Sequence, residues 1–543
     1  MKRRILAAAF ATLVISTSAN ADEYNLTIDR QDVDVGGRHG ESLTINGQLP
    51  GPTLHFKEGE QVTIHVTNKL KEDTSLHWHG LLLPGDMDGV PDFNNFPGIK
   101  PDQTFTYSFK VRQSGTYWYH SHSGGQEQEG LYGPIVIDPA GGEIVKTDRD
   151  YVVTLSDFTT EKPETILNNL KGDSGYYNYS RRTMSDFFRD VDEKGFGATV
   201  KDRLAWGDMR MDPTDLADVS GYTFLINGKS EKANWTGLFK PGERVRLRFI
   251  NASAMTYFDL RIPGLKMILV AADGQNVQPV VVDEIRMAIA ETYDVIVTPR
   301  DDKAYTIFAQ SLDRTGYARG TLAPRNGMEA AVPPIRARSL LTMADMGMGD
   351  MSMDHTDMSG MDMSGMSMDN AHDMHKPKTS KKEEDQPMGW NSGAPSSLKV
   401  LSYADLKSLK VQPDTRKATR EIIVHLGGNM ERYIWTLNGK KYADAKPIEL
   451  KYGERVKLTF INDTMMAHPM HLHGMFVQLV NGQPADRLPN KHIVSVPPGQ
   501  SYSVMLTADE AGEWAFHCHL LYHMESGMMR KVVVARLRAE AAQ

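Results

Sequence analysis

The amino-acid sequence predicts an all-β chain of three β-sandwich domains, with a low-complexity insertion between the second and the third. Three observations carry that expectation. A turn followed by an alternating strand occurs three times: Ile45-Asn46-Gly47 ahead of Gln61-Val62-Thr63-Ile64-His65-Val66-Thr67-Asn68, Ile226-Asn227-Gly228 ahead of Val245-Arg246-Leu247-Arg248-Phe249-Ile250-Asn251, and Leu437-Asn438-Gly439 ahead of Arg455-Val456-Lys457-Leu458-Thr459-Phe460-Ile461-Asn462. The copies start roughly 180–210 residues apart, too far for a solenoid and suited to repeated domains. Apolar residues alternate within the copies, as in Val62, Ile64 and Val66 or Val456, Leu458 and Phe460, which is the period of a strand with one face in a core. The 543 residues also exceed what one core fills, since domains of ~100–200 residues are usual.

In chain order, residues 1–21 read as an export signal. Lys2, Arg3 and Arg4 precede a short apolar run over 5–15, and Ala19-Asn20-Ala21 has the small-x-small form of a cleavage site. Residues 22–145 form the first sandwich and 146–335 the second. The second includes a long polar insertion over 160–220, read as an elaborated surface segment with a helix around 185–192. Residues 336–397 are a Met/His-rich linker, and 398–543 form the third sandwich.

Composition narrows the function. A single Cys excludes an intramolecular disulfide framework, Cys-rich zinc sites and Cys-ligated iron–sulfur clusters. The net charge of −8 and the lack of a basic run argue against nucleic acid as a partner. No stretch after the signal reaches the ~18–20 apolar residues of a membrane span. The expected mature protein is periplasmic and monomeric.

Ten of the 18 His fall in four motifs: His77-x-His79, His120-x-His122, His468-x-x-His471-x-His473, and His517-Cys518-His519 followed by His523 and Met528. Residues i and i+2 of a strand point the same way, so each His-x-His pair aims two imidazoles at one side of a sheet. Four pairs from the first and third domains supply eight imidazoles, ligands suited to copper, zinc, iron or nickel. The corresponding stretch of the second domain, 305–311, has no His, so that domain reads as a spacer. The lone Cys selects among the metals. Cys518 with His523, a second His (His468 being the natural one) and Met528 as a weak axial thioether is the ligand set of a blue-copper site.

These motifs resemble those of the multicopper oxidases, over nearly the whole mature chain. His77-Trp78-His79-Gly80-Leu81-Leu82-Leu83-Pro84-Gly85-Asp86-Met87-Asp88-Gly89-Val90-Pro91 and the Met-rich linker make the chain most similar to the bacterial copper-resistance protein A family. The resemblance implies three cupredoxin-like Greek-key domains and four coppers: one type 1, one type 2 and a type 3 pair. It assigns His468, Cys518, His523 and axial Met528 to the type 1 copper, and His77 and His471 to type 2. It gives His79, His120 and His519 to one type 3 copper, and His122, His473 and His517 to the other. It also implies one-electron oxidation of a substrate at type 1, four-electron reduction of dioxygen to water at the trinuclear cluster, and Asp88 as a proton relay. An acid that directly follows the His523 equivalent in some relatives is Met524 here, with Glu525 next.

Thioethers are soft ligands that select Cu(I). The linker places Met351, Met353, Met358, Met361, Met363, Met366 and Met368 in Met-x-Met and Met-x-x-Met spacings, and Met465 and Met466 precede His468. These are the candidate contacts for substrate copper. The expected activity is oxidation of Cu(I), with phenols as further substrates, serving copper tolerance. The competing readings are a copper-sequestering protein and a general laccase-like phenol oxidase. His39, His55, His65, His425 and His492 lie outside the motifs and read as structural or surface residues.

Overall fold

Each Asn-Gly of the repeat closes a hairpin in the computed structural model, which describes residues 22–208, 211–342 and 390–536. Both residues take positive φ in all three copies: 53° and 71° at Asn46-Gly47, 49° and 72° at Asn227-Gly228, 52° and 69° at Asn438-Gly439. That backbone matches the twist of the flanking strands and favours Asn and Gly. Each Asn also accepts a backbone N–H through Oδ1 at 2.7 Å, from Thr27, Thr154 and His425.

The alternating strand that follows runs parallel to the first strand of its unit. Val62–Asn68 pair with Asp22–Ile28, Val245–Asn251 with Arg149–Leu155, and Val456–Asn462 with Arg420–Leu426. Val62, Ile64 and Val66 are fully buried, as the period predicts. In the second unit Arg246 and Arg248 are buried too, because that face packs on the first unit. Arg248 donates to Asp150, Asp294 and Thr116 Oγ1. The closing Asn of each copy is buried and staples strand ends through Nδ2: Asn68 to Glu72 and Ile99 carbonyls, Asn251 to Thr256 and Ala288, Asn462 to Met466, Val496 and Pro497.

Each unit is two stacked sheets, of four and four strands in the first and of six and five in the second and third. One sheet has the same core order in all three. In the first it runs Leu54–Lys57, Tyr132–Asp138, Gly115–His120, His77–His79; in the third, Ile448–Lys451, Met529–Ala535, Gly512–Cys518, His468–Leu472, and then Ile493–Val496. In the second the equivalent pair is Tyr305–Ser311 and Phe258–Arg261, whose Phe258, Leu260, Ile307 and Ala309 fill a dry core.

The 160–220 insertion holds the expected helix, as Met184–Lys194, and among the described residues two more, Pro163–Gly172 and Phe196–Asp208. It is not only a surface segment: Ile166, Leu170, Tyr177, Trp206, Leu216 and Val219 join the core. Residues 1–21 and the linker methionines Met351, Met353, Met358, Met361, Met363, Met366 and Met368 lie outside the described residues.

Candidate metal centre

Two strand pairs of equal register build the site. His77 lies opposite His120 in the first unit, and His471 opposite His517 in the third. The glycines after His77-x-His79 and His471-x-His473 are forced by space as well as backbone. Gly80 (φ 80°) would place a Cβ 2.5 Å from the His492 ring, and Gly474 (φ 74°) one 2.4 Å from Trp514. The two pairs face each other across the boundary between units. His77 stacks on His473 and His79 on His471, each with ring centroids 3.9 Å apart.

Donor atoms then converge in overlapping sets: His77, His79 and His471; His79, His120 and His519; His122, His473 and His517. In the last set His517 Nε2 lies 3.4 Å from His122 Nε2 and 3.1 Å from His473 Nε2. The outward nitrogens are engaged. Nδ1 of His77 is 2.9 Å from the Asp88 carbonyl, and those of His120 and His517 are 2.9 Å from the Ser121 and Cys518 carbonyls. His473 Nδ1 is 2.9 Å from Asp88 Oδ2. The inward atoms His77 Nε2, His79 Nδ1, His120 Nε2, His471 Nε2 and His519 Nε2 are buried without a hydrogen-bond partner. Burial, reinforced by neighbouring imidazoles, pushes His79, His120, His122, His471, His473 and His519 well below the ordinary imidazole range, and burial pushes His517 down to about 3. Neutral imidazoles with orphaned lone pairs fit a metal cation, which removes the cost of leaving them unpaired.

A second site sits behind the same strand. Cys518 Sγ is 3.6 Å from Nδ1 of both His468 and His523, and these two nitrogens are 3.1 Å apart. Their far nitrogens are held, His468 Nε2 by Thr464 Oγ1 at 2.7 Å and His523 Nε2 by Asp218 Oδ2 at 2.6 Å. Trp435 stacks on His523 at 3.8 Å. Met528 is fully buried; its carbonyl accepts from Cys518 N and its N–H donates to the His523 carbonyl. Burial pushes the Cys518 thiol up, so a thiolate there requires a cation beside it. A buried thiol beside two imidazoles is the donor set of copper.

The structure adds three residues that the sequence did not single out for the site. Asp218, from the insertion, also accepts from Tyr433 Oη at 2.8 Å. Glu127, seven residues past His120, is buried with Oε2 2.9 Å from His120 Nδ1 and Oε1 4.0 Å from His519 Nδ1. His492, read as structural or surface, is buried with Nδ1 3.1 Å from His79 Nε2. Met465 and Met466 are buried, and Met466 lines a pocket with Asp218, Met255, Asp313 and Trp390. Among the described residues no helix is long and apolar enough to cross a membrane.

Three multicopper oxidase family models match the chain, over residues 27–141, 149–332 and 415–537. The chain is 51% identical to copper resistance protein A of Escherichia coli, over 96% of this chain and 94% of that one. It is 30% identical to the multicopper oxidase MmcO of Mycobacterium tuberculosis, over 93% of this chain and 86% of that one. Among solved structures, Fet3p, a multicopper oxidase that functions in iron import, superposes with a TM-score of 0.68 at 19% identity, covering 95% of this chain and 90% of Fet3p. The chain belongs to the multicopper oxidase family, as the sequence motifs implied; it is a copper-dependent oxidoreductase with cupredoxin-like domains.

Proposed function

We propose that this protein is an exported, monomeric oxidase that takes electrons from Cu(I) and so serves copper tolerance. The likeness to copper resistance protein A supports the biological role. The signal-like residues 1–21 support export. In this reading His468, Cys518, His523 and Met528 hold a type 1 copper, and His77 with His471 a type 2 copper. His79, His120 and His519 hold one type 3 copper; His122, His473 and His517 hold its partner. Bound copper supplies one-electron uptake at the first site and four-electron reduction of dioxygen to water at the cluster.

The protein's own residues supply the rest. His517 and His519 flank Cys518 in sequence and give a short covalent path from the thiolate to the cluster. Asp88 is buried between His77 and His473, and its Oδ1 has no hydrogen bond, so this oxygen is available to carry a proton toward dioxygen. The observation that carries the substrate assignment is the Asp218 carboxylate on His523 in a pocket that also holds Met255 and Met466. An anionic oxygen beside soft thioethers favours a small soft cation over a neutral phenol. Met465 and the linker methionines are the further candidate thioethers.

The test is oxygen uptake with Cu(I) and with a bulky phenol as alternative reductants. Asp218→Asn removes one charge, about 1 kcal/mol at a partly screened distance, and raises KM for Cu(I) about fivefold with little change for the phenol. Replacing 347–375 by a short Gly/Ser bridge lowers Cu(I) oxidation and leaves phenol oxidation intact or faster. Equal effects on both reductants would make the protein a general phenol oxidase, and copper binding without oxygen uptake would make it a store.

A further inference from the structure

His79 differs from five of the other cluster histidines. His77, His120, His473 and His517 turn Nδ1 outward to an oxygen, and His471 does the same, with Nδ1 2.7 Å from the His492 carbonyl. His79 is reversed: its Nε2 faces His492 Nδ1 at 3.1 Å, and its Nδ1 is the buried atom left without a partner. A neutral imidazole has one N–H, and the nitrogen that donates leaves the other for the metal.

One residue therefore touches two cluster histidines from different domains. The ring of His492 engages His79 of the first domain, and its carbonyl engages His471 of the third. These two rings are the pair stacked at 3.9 Å.

The second domain holds His492 in place. Asp273 Oδ2 accepts from the backbone N–H groups of His492 and Ile493, both at 3.1 Å. The same oxygen is 3.1 Å from Nζ of the fully buried Lys491, which is also 3.1 Å from Glu291 Oε1. Tyr293 and Tyr403 donate to that Glu291 oxygen at 3.1 and 2.6 Å. Removing one partner of a buried ion pair is costly, so the segment carrying His492 is anchored. No atom larger than hydrogen fits on Gly80 against the ring.

The geometry points to His492 as a positioning residue of the oxygen-reducing cluster. Its Nδ1 accepts the Nε2–H of His79 and so presents His79 Nδ1 to copper, while its carbonyl fixes His471 to bind through Nε2. The second domain, which supplies no ligand of its own, sets ligand orientation through Asp273. This inference rests on the copper assignment proposed above.

The test compares His492→Phe, which keeps a ring and loses the acceptor, with His492→Asn, whose Oδ1 replaces Nδ1. Absorption, electron paramagnetic resonance and copper content are read on both. The expected result in His492→Phe is loss of the near-ultraviolet type 3 shoulder, more copper visible to resonance, and cluster copper bound about 10–100-fold more weakly. The blue band, formed at Cys518, persists and reports an intact fold. His492→Asn restores the shoulder. Should the Phe variant not fold, Asp273→Asn, which keeps the ring and loosens its anchor, gives the same selective loss to a smaller extent. An undiminished shoulder in His492→Phe, equal losses in the Phe and Asn variants, or no loss in Asp273→Asn would overturn the inference. A wild-type protein without that shoulder would instead overturn the copper assignment.

Discussion

The first and third domains carry the same strand pair in the same register, yet only the third frames a site with a thiol. In the third, Cys518 occupies the middle of His-x-His, and the short helix Leu521–Glu525 brings His523 back against it. In the first, Ser121 stands at that place and donates to Gln126 Oε1 at 2.8 Å. The chain then turns through Gly124 and Gly125 and offers Glu127 to His120 instead of an imidazole. The second domain keeps the strands and fills them with Phe258, Leu260, Ile307 and Ala309. One frame thus carries a thiol between two imidazoles, a pair of facing imidazoles beside a carboxylate, or a packed apolar core. One residue within the strand and the few that follow it decide which.

The largest effect comes from breaking the third-domain version. Cys518→Ser replaces a soft thiolate by a hydroxyl that binds copper poorly at neutral pH. Blue absorbance vanishes and turnover falls beyond the ~10–100-fold that loss of an outer partner costs, while about three coppers remain on a folded protein. Absorption, copper content and oxygen uptake measure this; a blue band retained in the variant refutes the role of Cys518.

A smaller effect comes from the first domain. Glu127→Leu removes the carboxylate partner of His120. Cluster copper is expected to bind about tenfold more weakly, with the blue band unchanged. Competition with a graded chelator reads the affinity, and a change confined to the blue band contradicts the assignment of Glu127 to the cluster.

The reciprocal change is the smallest. Ser121→Cys puts the thiol into the first-domain frame, where Gln126 and Glu127 follow instead of a His. No second blue band forms, and the lost hydrogen bond to Gln126 costs about 1 kcal/mol, read as a small drop in melting temperature. A new blue band would show that the Cys alone makes the site.

What was legible in the sequence was local. Asn46-Gly47, Asn227-Gly228 and Asn438-Gly439 announce positive-φ turns, and the His-x-His pairs announce side chains on one face of a strand. Asp218, Glu127 and His492 gave no such signal, because their roles are contacts between distant parts of the chain. Asp218 lies 305 residues from His523, and His492 lies 413 from His79. A hint was present at Lys491-His492, two polar residues set directly before the apolar run Ile493-Val494 in a β-rich domain. Such a pair in a buried strand needs partners, and here Asp273, Glu291 and His79 provide them. The insertion over 160–220 misled for the same reason. Its polar composition reads as surface, but Asp218 is turned inward to His523.

In the proposed function the convergent donors hold two different kinds of copper centre, one around Cys518 and one cluster shared by the first and third domains. Copper content with absorption and resonance spectra on the purified wild-type protein tests it most directly. The expected result is about four coppers per chain, a blue band, a near-ultraviolet type 3 shoulder, and resonance from only the type 1 and type 2 ions, since a coupled type 3 pair is silent. A single copper with a blue band and no shoulder, or a colourless protein that binds copper loosely, would contradict it.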